Sequence, residues 1–316
     1  MMSEDKKYTP LNSHPVALRQ PMVELIIKGV DGDKNKEITP RVLTVEVQTS
    51  VVGPGNRAKV KVLRPEETID IGAEAVLFLG YLKFKKWMVF KGFVTDTDHN
   101  IQMTIEMQDS SWILENTKVG GTHRTEQGGK KQAARLAKSA KEVVEYTLKQ
   151  AGIAEKDLDL GDRIIDPYTM KEDSALNHLQ NAAKSFEIRY PCYFDLNQKF
   201  HWHPLRFPVT PIEAMRYGMD YRNFKSDNEE VPKESQAASG GSVWTSDAVW
   251  APDAEIGPPI TFDTFLRPWL KAGDAVTIED ERLSNEAAIC VIEKVTHTFT
   301  ADTTGTSPQL RRVFYI

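Results

Sequence analysis

The stretch IQMTIEMQ, residues 101–108, decides the fold class. Ile101, Met103, Ile105 and Met107 alternate with Gln102, Thr104, Glu106 and Gln108. A strict period of two places one set on a buried face and the other in water, which is the pattern of a half-buried strand. The same alternation extends upstream. In RVLTVEVQTS, Leu43, Val45 and Val47 alternate with Thr44, Glu46 and Gln48, and in RAKVKVL, Ala58, Val60 and Val62 alternate with Lys59 and Lys61. The polar turns DGDKNKE and GPGN separate these runs from each other and from VELIIKGV. EAVLFLGYL and WMVFKGFVTD are apolar runs interrupted by Gly80 and Gly92, positions at which a curved sheet is expected to bulge. Strands at this spacing, with no helix between them, predict a small antiparallel barrel or sandwich.

The period changes after Asn116. A glycine-bearing polar linker, VGGTHRTEQGG, leads to helical spacing at Leu136, Ala140, Val143, Val144, Thr147, Leu148 and Ala151, with Gly152 as the stop. A second helix is expected to start from Ser174 or Asp173 as N-cap, with Ala175, Leu176, Leu179, Ala182, Ala183 and Phe186 along one face. A hairpin follows, EIRYPCYFD and KFHWHPL about a turn near Leu196 and Asn197. Strand signals resume in DAVTIED, AAICVIEKVTHTFT and RRVFYI. The expected fold is therefore mainly β with an α/β insert, two small antiparallel β-barrel-like domains flanking a helix-plus-hairpin domain. The expected division is an extended arm at 1–20, a first barrel at 21–116, a linker and α/β insert at 117–206, and a second barrel at 207–316 with a long polar loop at 226–259.

The composition is that of a globular chain: of 316 residues, 40% are hydrophobic, 27% charged and 9% aromatic. The net charge of −5 argues against nucleic acid as a partner of the whole surface. The N-terminus MMSEDKKYTPLNSHP lacks the apolar core of a secretory signal, and no run approaches the ~20 apolar residues of a membrane span. Cys192 and Cys290 are far apart and outside any CxxC pair, so no disulfide framework is expected.

Motifs of catalysis are missing: there is no GxSxG, HExxH, P-loop or GxGxxG. His201 and His203 lie two apart on an expected strand and share a face, a spacing that suits a metal, but no carboxylate or cysteine stands in local spacing, so a structural or surface role is favoured. Glu279, Asp280 and Glu281 read as a solvated turn. The basic segment Lys118 to Lys141 holds Glu126 as its only acid up to Lys141 and reads as a solvated face or a protein contact. Trp244, Trp250, Phe262 and Phe265, in or beside the long polar loop, are candidate protein-interface anchors; pinning the loop to its own barrel is the equal alternative. No catalytic residue, cofactor or metal is expected.

In its order of segments the chain resembles the hub proteins of contractile phage-tail baseplates, the late control protein D family, related to the hub part of type VI secretion spike proteins. VFKGFVTDTDHNIQMTIEMQDSSWILEN is similar to that family's first barrel, DSALNHLQNAAKSFEIRYPCYFDLNQKFHWHPL to its central helix and hairpin, and LRPWLKAGDAVTI with CVIEKVTHTFT to its closing barrel. The likeness spans roughly 23–316, with the 226–259 loop as a departure. It implies a non-enzymatic virion protein, a homotrimer whose two barrels per subunit make a ring of six similar modules. Such a ring joins a hexameric tail-tube protein to a trimeric spike, alongside other baseplate proteins. It implies no membrane anchor, and DNA only as cargo passing through the lumen. Because the sequence ends just after the last strand, the spike is expected to be a separate protein. The alternatives are a tail-associated cell-wall hydrolase and a stand-alone glycan- or nucleic-acid-binding barrel.

Overall fold

A computed structural model describes residues 20–82, 85–98, 100–120, 136–160, 164–169, 171–188, 190–205, 210–216, 218–226, 254–279, 288–300 and 304–315. The expected arm therefore lies outside the described residues except for Gln20, as does most of the basic segment. The first β-rich stretch forms β1 (Pro21–Val30), β2 (Asp33–Ile38), β3 (Val42–Ser50), β4 (Arg57–Leu63), β5 (Ile69–Tyr81), β6 (Lys86–Thr97) and β7 (Gln102–Gln108). The alternation sets their burial. In β4, Ala58, Val60 and Val62 are buried while Arg57, Lys59, Lys61 and Leu63 are exposed, and β7 buries Met103, Ile105 and Met107. The sheet runs β3-β4-β7-β6-β5-β1-β2 and wraps one core, to which Leu25, Ile38, Val47, Val60, Leu77, Phe90 and Ile105 each contribute from a different strand. Each large side chain buried there contributes roughly 1.5–3 kcal/mol of transfer free energy.

The expected bulges fall beside the two glycines rather than on them. Register shifts occur at Leu77/Phe78 and Val94/Asp96. Gly80 and Gly92 answer a different need, close backbone approach: a Cβ on Gly92 would collide with the Gln108 carbonyl, and one on Gly80 with the Lys85 carbonyl.

The middle of the chain forms α1 (Ser111–Asn116), β8 (Lys118–Val119), β9 (Leu136–Ser139), α2 (Ala140–Gln150), β10 (Lys156–Leu158), β11 (Ile164–Thr169), β12 (Asp173–Ser174), α3 (Ala175–Ser185), β13 (Cys192–Phe194) and β14 (Phe200–Trp202). Leu136, expected in a helix, belongs instead to β9, paired with Thr169. Helix α2 starts later because the Ser139 side chain caps it, accepting from the Glu142 backbone N–H at 3.2 Å. Gly152, at a φ of 75°, ends it. Ser174 caps α3 in the same way through Asn177. The two helices pack their apolar stripes against the β13–β14 hairpin, whose Phe194, Phe200 and Trp202 lie in the same core. Buried Trp202 keeps its indole N–H satisfied by the Tyr190 carbonyl at 2.9 Å.

The last part forms β15 (Glu213–Arg216), β16 (Tyr221–Ser226), β17 (Ala254–Thr264), β18 (Ala275–Glu279), β19 (Ala288–Phe299) and β20 (Thr304–Tyr315) around a core of its own. Strand β15 runs parallel to β18, a departure from the antiparallel expectation. The long polar loop ends earlier than expected, because Ala254–Pro259 already belongs to β17 and pairs with β20. The mainly β architecture with a small helical insert is the one read from the sequence.

Candidate assembly joint and surface

The two β-rich units share one sheet of thirteen strands. Strand β19 makes the join. Its first half, Ala288–Val291, pairs with β18, and its second half, Lys294–Phe299, pairs antiparallel with β3. The β19–β20 register shifts between Ile292 and Lys294, so the bulge lies where the strand passes from one unit to the other. There the Val51 N–H donates to the Glu293 carbonyl at 3.0 Å.

A short segment after β17, Phe265 to Leu270, pins the same junction from the side. Leu266, 1% exposed, enters the core of the first unit, while Leu270 enters that of the second. Trp269 packs on both cores and on the Trp87 ring, 5.3 Å away. The Tyr81 hydroxyl donates to the Leu266 carbonyl, and burial pushes its pKa up to about 12. Between these residues, Arg267 is fully buried. Its guanidinium pairs with Glu213 and, at 2.7 Å, with Asp220, and donates to Thr264 Oγ1 at 3.1 Å. Thr306 accepts from the Arg267 backbone N–H at 2.8 Å and lies 3.0 Å from His297 Nδ1. The other ring nitrogen of His297 is 3.2 Å from the Leu270 carbonyl, and burial pulls its pKa down to about 4, so the ring is neutral.

A second, polar joint ties the first unit to the insert. Asn56 donates from its side chain to the Phe194 carbonyl at 2.9 Å and accepts from the Ser50 N–H at 2.8 Å. Asp109, at the end of β7, accepts from the Asn56 N–H at 3.0 Å and from Ser111. Burial raises the Asp109 pKa to about 6 against these hydrogen bonds. Gln198, in the turn of the hairpin, accepts from Ser110 and donates to the Lys91 carbonyl at 2.8 Å. Where all three parts meet, Val51, Tyr193, Leu205, Ala275 and Val291 form a small apolar cluster.

The expected interface aromatics separate. Trp244 and Trp250 lie outside the described residues. Phe262 is only 2% exposed, stacked on Tyr221 at 4.3 Å inside the second core, so its ring faces its own barrel and not a partner. Phe265 is half-buried over the Arg267 guanidinium at 4.3 Å. It lines a shallow groove of about 530 Å³ with Met219, Arg222, Asp263, Thr298 and Ser307, and Met219 is 59% exposed. Glu279 is paired with Arg216 at 2.5 Å, while Asp280 and Glu281 lie outside the described residues. His201 and His203 do share a face, with ring centroids 5.6 Å apart, and the fold brings to them two carboxylates that local spacing did not supply, Asp157 and Asp195. Among the described residues no helix is long and apolar enough to cross a membrane.

No protein-family model and no curated protein matches the chain in sequence. Solved structures do match it. One is a tail protein from Neisseria meningitidis MC58, with 10% identity, a TM-score of 0.60, and 93% of this chain and 97% of that one covered. Another is the prophage MuSo2 43 kDa tail protein from Shewanella oneidensis, with 10% identity, a TM-score of 0.60, and coverage of 92% and 97%. A third is an E. coli component of the type VI secretion system, described as structurally similar to the T4 bacteriophage tail proteins gp27 and gp5. There the identity is 10%, the TM-score 0.55 and the coverage 89% and 75%. At such identities the likeness is one of fold, and at that level it bears out the resemblance read from the sequence.

Proposed function

We propose that this chain is the hub subunit of a phage-tail baseplate or a related contractile injection machine. Three copies close into a ring to which each contributes two barrels, giving six similar modules that join a hexameric tail tube to a separate trimeric spike. The observation that carries the reading is the hydrogen-bonded seam between β19 and β3, with Leu266 of the second barrel seated in the core of the first. A ring of alternating barrels keeps near six-fold spacing only if the two barrels of one subunit hold a fixed angle, and a continuous sheet supplies that stiffness. The fold shared with tail proteins over nearly the whole chain supports it. Phe265 and the groove beside it, together with Trp244 and Trp250, are the proposed contacts to a neighbouring subunit or baseplate protein.

On this reading the role is structural, without catalysis, in the virion tail. Light scattering on the purified protein is expected to give three times the 35.7 kDa chain mass, and negative-stain class averages a ring of six lobes. A stable monomer or dimer at micromolar concentration refutes the hub. Clearing of purified peptidoglycan in a zymogram refutes the absence of catalysis.

A further inference from the structure

The insert carries an arrangement that assembly does not require. His201, on β14, is in register with Asp157 on the parallel neighbour β10 and with Tyr193 on the antiparallel neighbour β13. The period of two puts His203 on the same side, just past the end of β14. Tyr193 stacks flat on His201, with centroids 4.9 Å apart and planes at 11°, and meets His203 edge-on. The imidazoles and the Asp157 carboxylate each offer an atom within 4.8 Å of the others.

The second contacts of the rings decide which nitrogens carry a lone pair. His201 Nε2 is 3.3 Å from Asp195 Oδ2. An ionised carboxylate only accepts, so Nε2 carries the proton and Nδ1 presents a lone pair. That Nδ1 is buried, has no hydrogen-bond partner among the described residues, and lies 3.9 Å from Asp157 Oδ2. A buried nitrogen lone pair without a donor is a cost unless something else fills its place. His203 Nδ1 is 2.9 Å from the Pro204 carbonyl, which again only accepts, so its Nε2 is the free lone pair. A histidine whose other ring nitrogen donates to a carboxylate or a backbone carbonyl is the usual support of a metal ligand, and both histidines have it.

We propose that His201 Nδ1, His203 Nε2 and the Asp157 carboxylate bind a divalent transition-metal ion of the zinc type, with Asp195 as the positioning residue behind His201. Two imidazoles and one carboxylate suit such an ion and leave a fourth position for water. Tetrahedral zinc asks for ligand atoms about 3.3 Å apart, so the three side chains close by about 1 Å on binding. Asp157 sits at the exposed rim, and the Lys199 ammonium is 3.4 Å from its Oδ2. Lys199 is thus the group the ion displaces. The ion would cross-link β10 to the hairpin that carries Phe194, Gln198 and Tyr193, and so stiffen the part of the insert that meets both barrels. The proposal does not rest on the hub reading.

The test uses untagged full-length protein stripped with EDTA. It is titrated with Co²⁺, read by visible absorption, and then with Zn²⁺, read by calorimetry. The expected result is one equivalent per chain and a rise in unfolding temperature with metal. Asp157→Asn and His203→Gln are each expected to weaken binding by roughly tenfold or more. Lys199→Ala is expected to tighten it, a sign that a purely structural role for Lys199 would not give. Unfolding temperatures of the three variants without metal serve as the check on folding. No stoichiometric binding by the wild type, or binding that Asp157→Asn and His203→Gln leave unchanged, overturns the proposal.

Discussion

Removing the Arg267 charge is expected to expose how the inter-barrel segment is held. In Arg267→Met the side-chain volume stays similar, but Glu213 and Asp220 lose the cation they face. Their side chains are 8% and 7% exposed, so water replaces it poorly. Breaking one partner of a buried ionic cluster costs about 3–5 kcal/mol, most of it the stranded opposite charge. For a chain of this size that is a fall in melting temperature of roughly 5–8 °C. The stranded-charge account has a signature that lost packing lacks. The gap between variant and wild type should narrow when Glu213→Gln and Asp220→Asn are added. An amide oxygen still accepts from the Trp269 indole at position 213 and from the Arg216 N–H at position 220. Circular-dichroism melts of the single and triple variants make the measurement. A loss below about 0.5 kcal/mol, or a larger one that the added amides do not relieve, refutes the reasoning.

Other outcomes follow from the same structure. Gly92→Ala sets a Cβ against the Gln108 carbonyl and should cost more than about 3 kcal/mol or prevent soluble expression, whereas Gly53→Ala meets open space and should melt within a degree or two of wild type. Leu266→Ala empties a site in the first core and should cost roughly 2–5 kcal/mol. Hydrogen exchange should then quicken along β3 and the second half of β19, and unchanged exchange there would mean that the segment does not couple the barrels. His297, held at about 4 against an ordinary 6.5, stays neutral while the unfolded chain protonates, so its contribution is whole above pH 6.5 and lost as the pH falls toward 4. Asp109, pushed up to about 6 from 3.8, acts oppositely and weakens the fold as the pH rises between those values. Urea titrations should therefore show His297→Gln gaining on wild type by about 3 kcal/mol between pH 7 and pH 4, and a constant difference would contradict the buried neutral ring.

What the sequence disclosed and what it hid divide along sequence distance. Alternation in β4 and β7 named the buried face except at the ends of the second run, where Ile101 lies outside β7 and is 86% exposed while Gln108 is buried, and the stripe of α3 named the helix side that packs. A local cue was also passed over: Ser139 followed by Glu142 is a capping box, and it starts α2 at Ala140 where the apolar spacing alone had reached back to Leu136. The glycine and prolines at 257–259 suggested loop. They lie in β17 where β16 no longer pairs with it, so the missing N–H groups of the prolines lose no ladder bond on that side among the described residues. Other features have no local trace. Phe262 reads as an exposed aromatic because nothing nearby in sequence announces Tyr221 as its stacking partner. The Asp157–His201 pairing depends on a parallel register between strands with α3 between them in the chain, and Asp195 becomes a partner only when the hairpin closes.

The two joints differ in kind, and the difference bears on the proposed role. The barrels are joined by the β19–β3 ladder and by Leu266, carried on a segment that a buried ionic cluster anchors to the second barrel. The insert is held to the first barrel by side-chain hydrogen bonds from Asn56 to the Phe194 carbonyl and from Gln198 to the Lys91 carbonyl, each worth about 1 kcal/mol net, and by the small apolar cluster around Val51. The proposed ring needs its two barrels at fixed spacing, and the ladder-bonded seam is the joint that supplies it. If the β19–β3 seam were instead the first to exchange its amides, that proposed ring would lack the fixed element on which its symmetry depends.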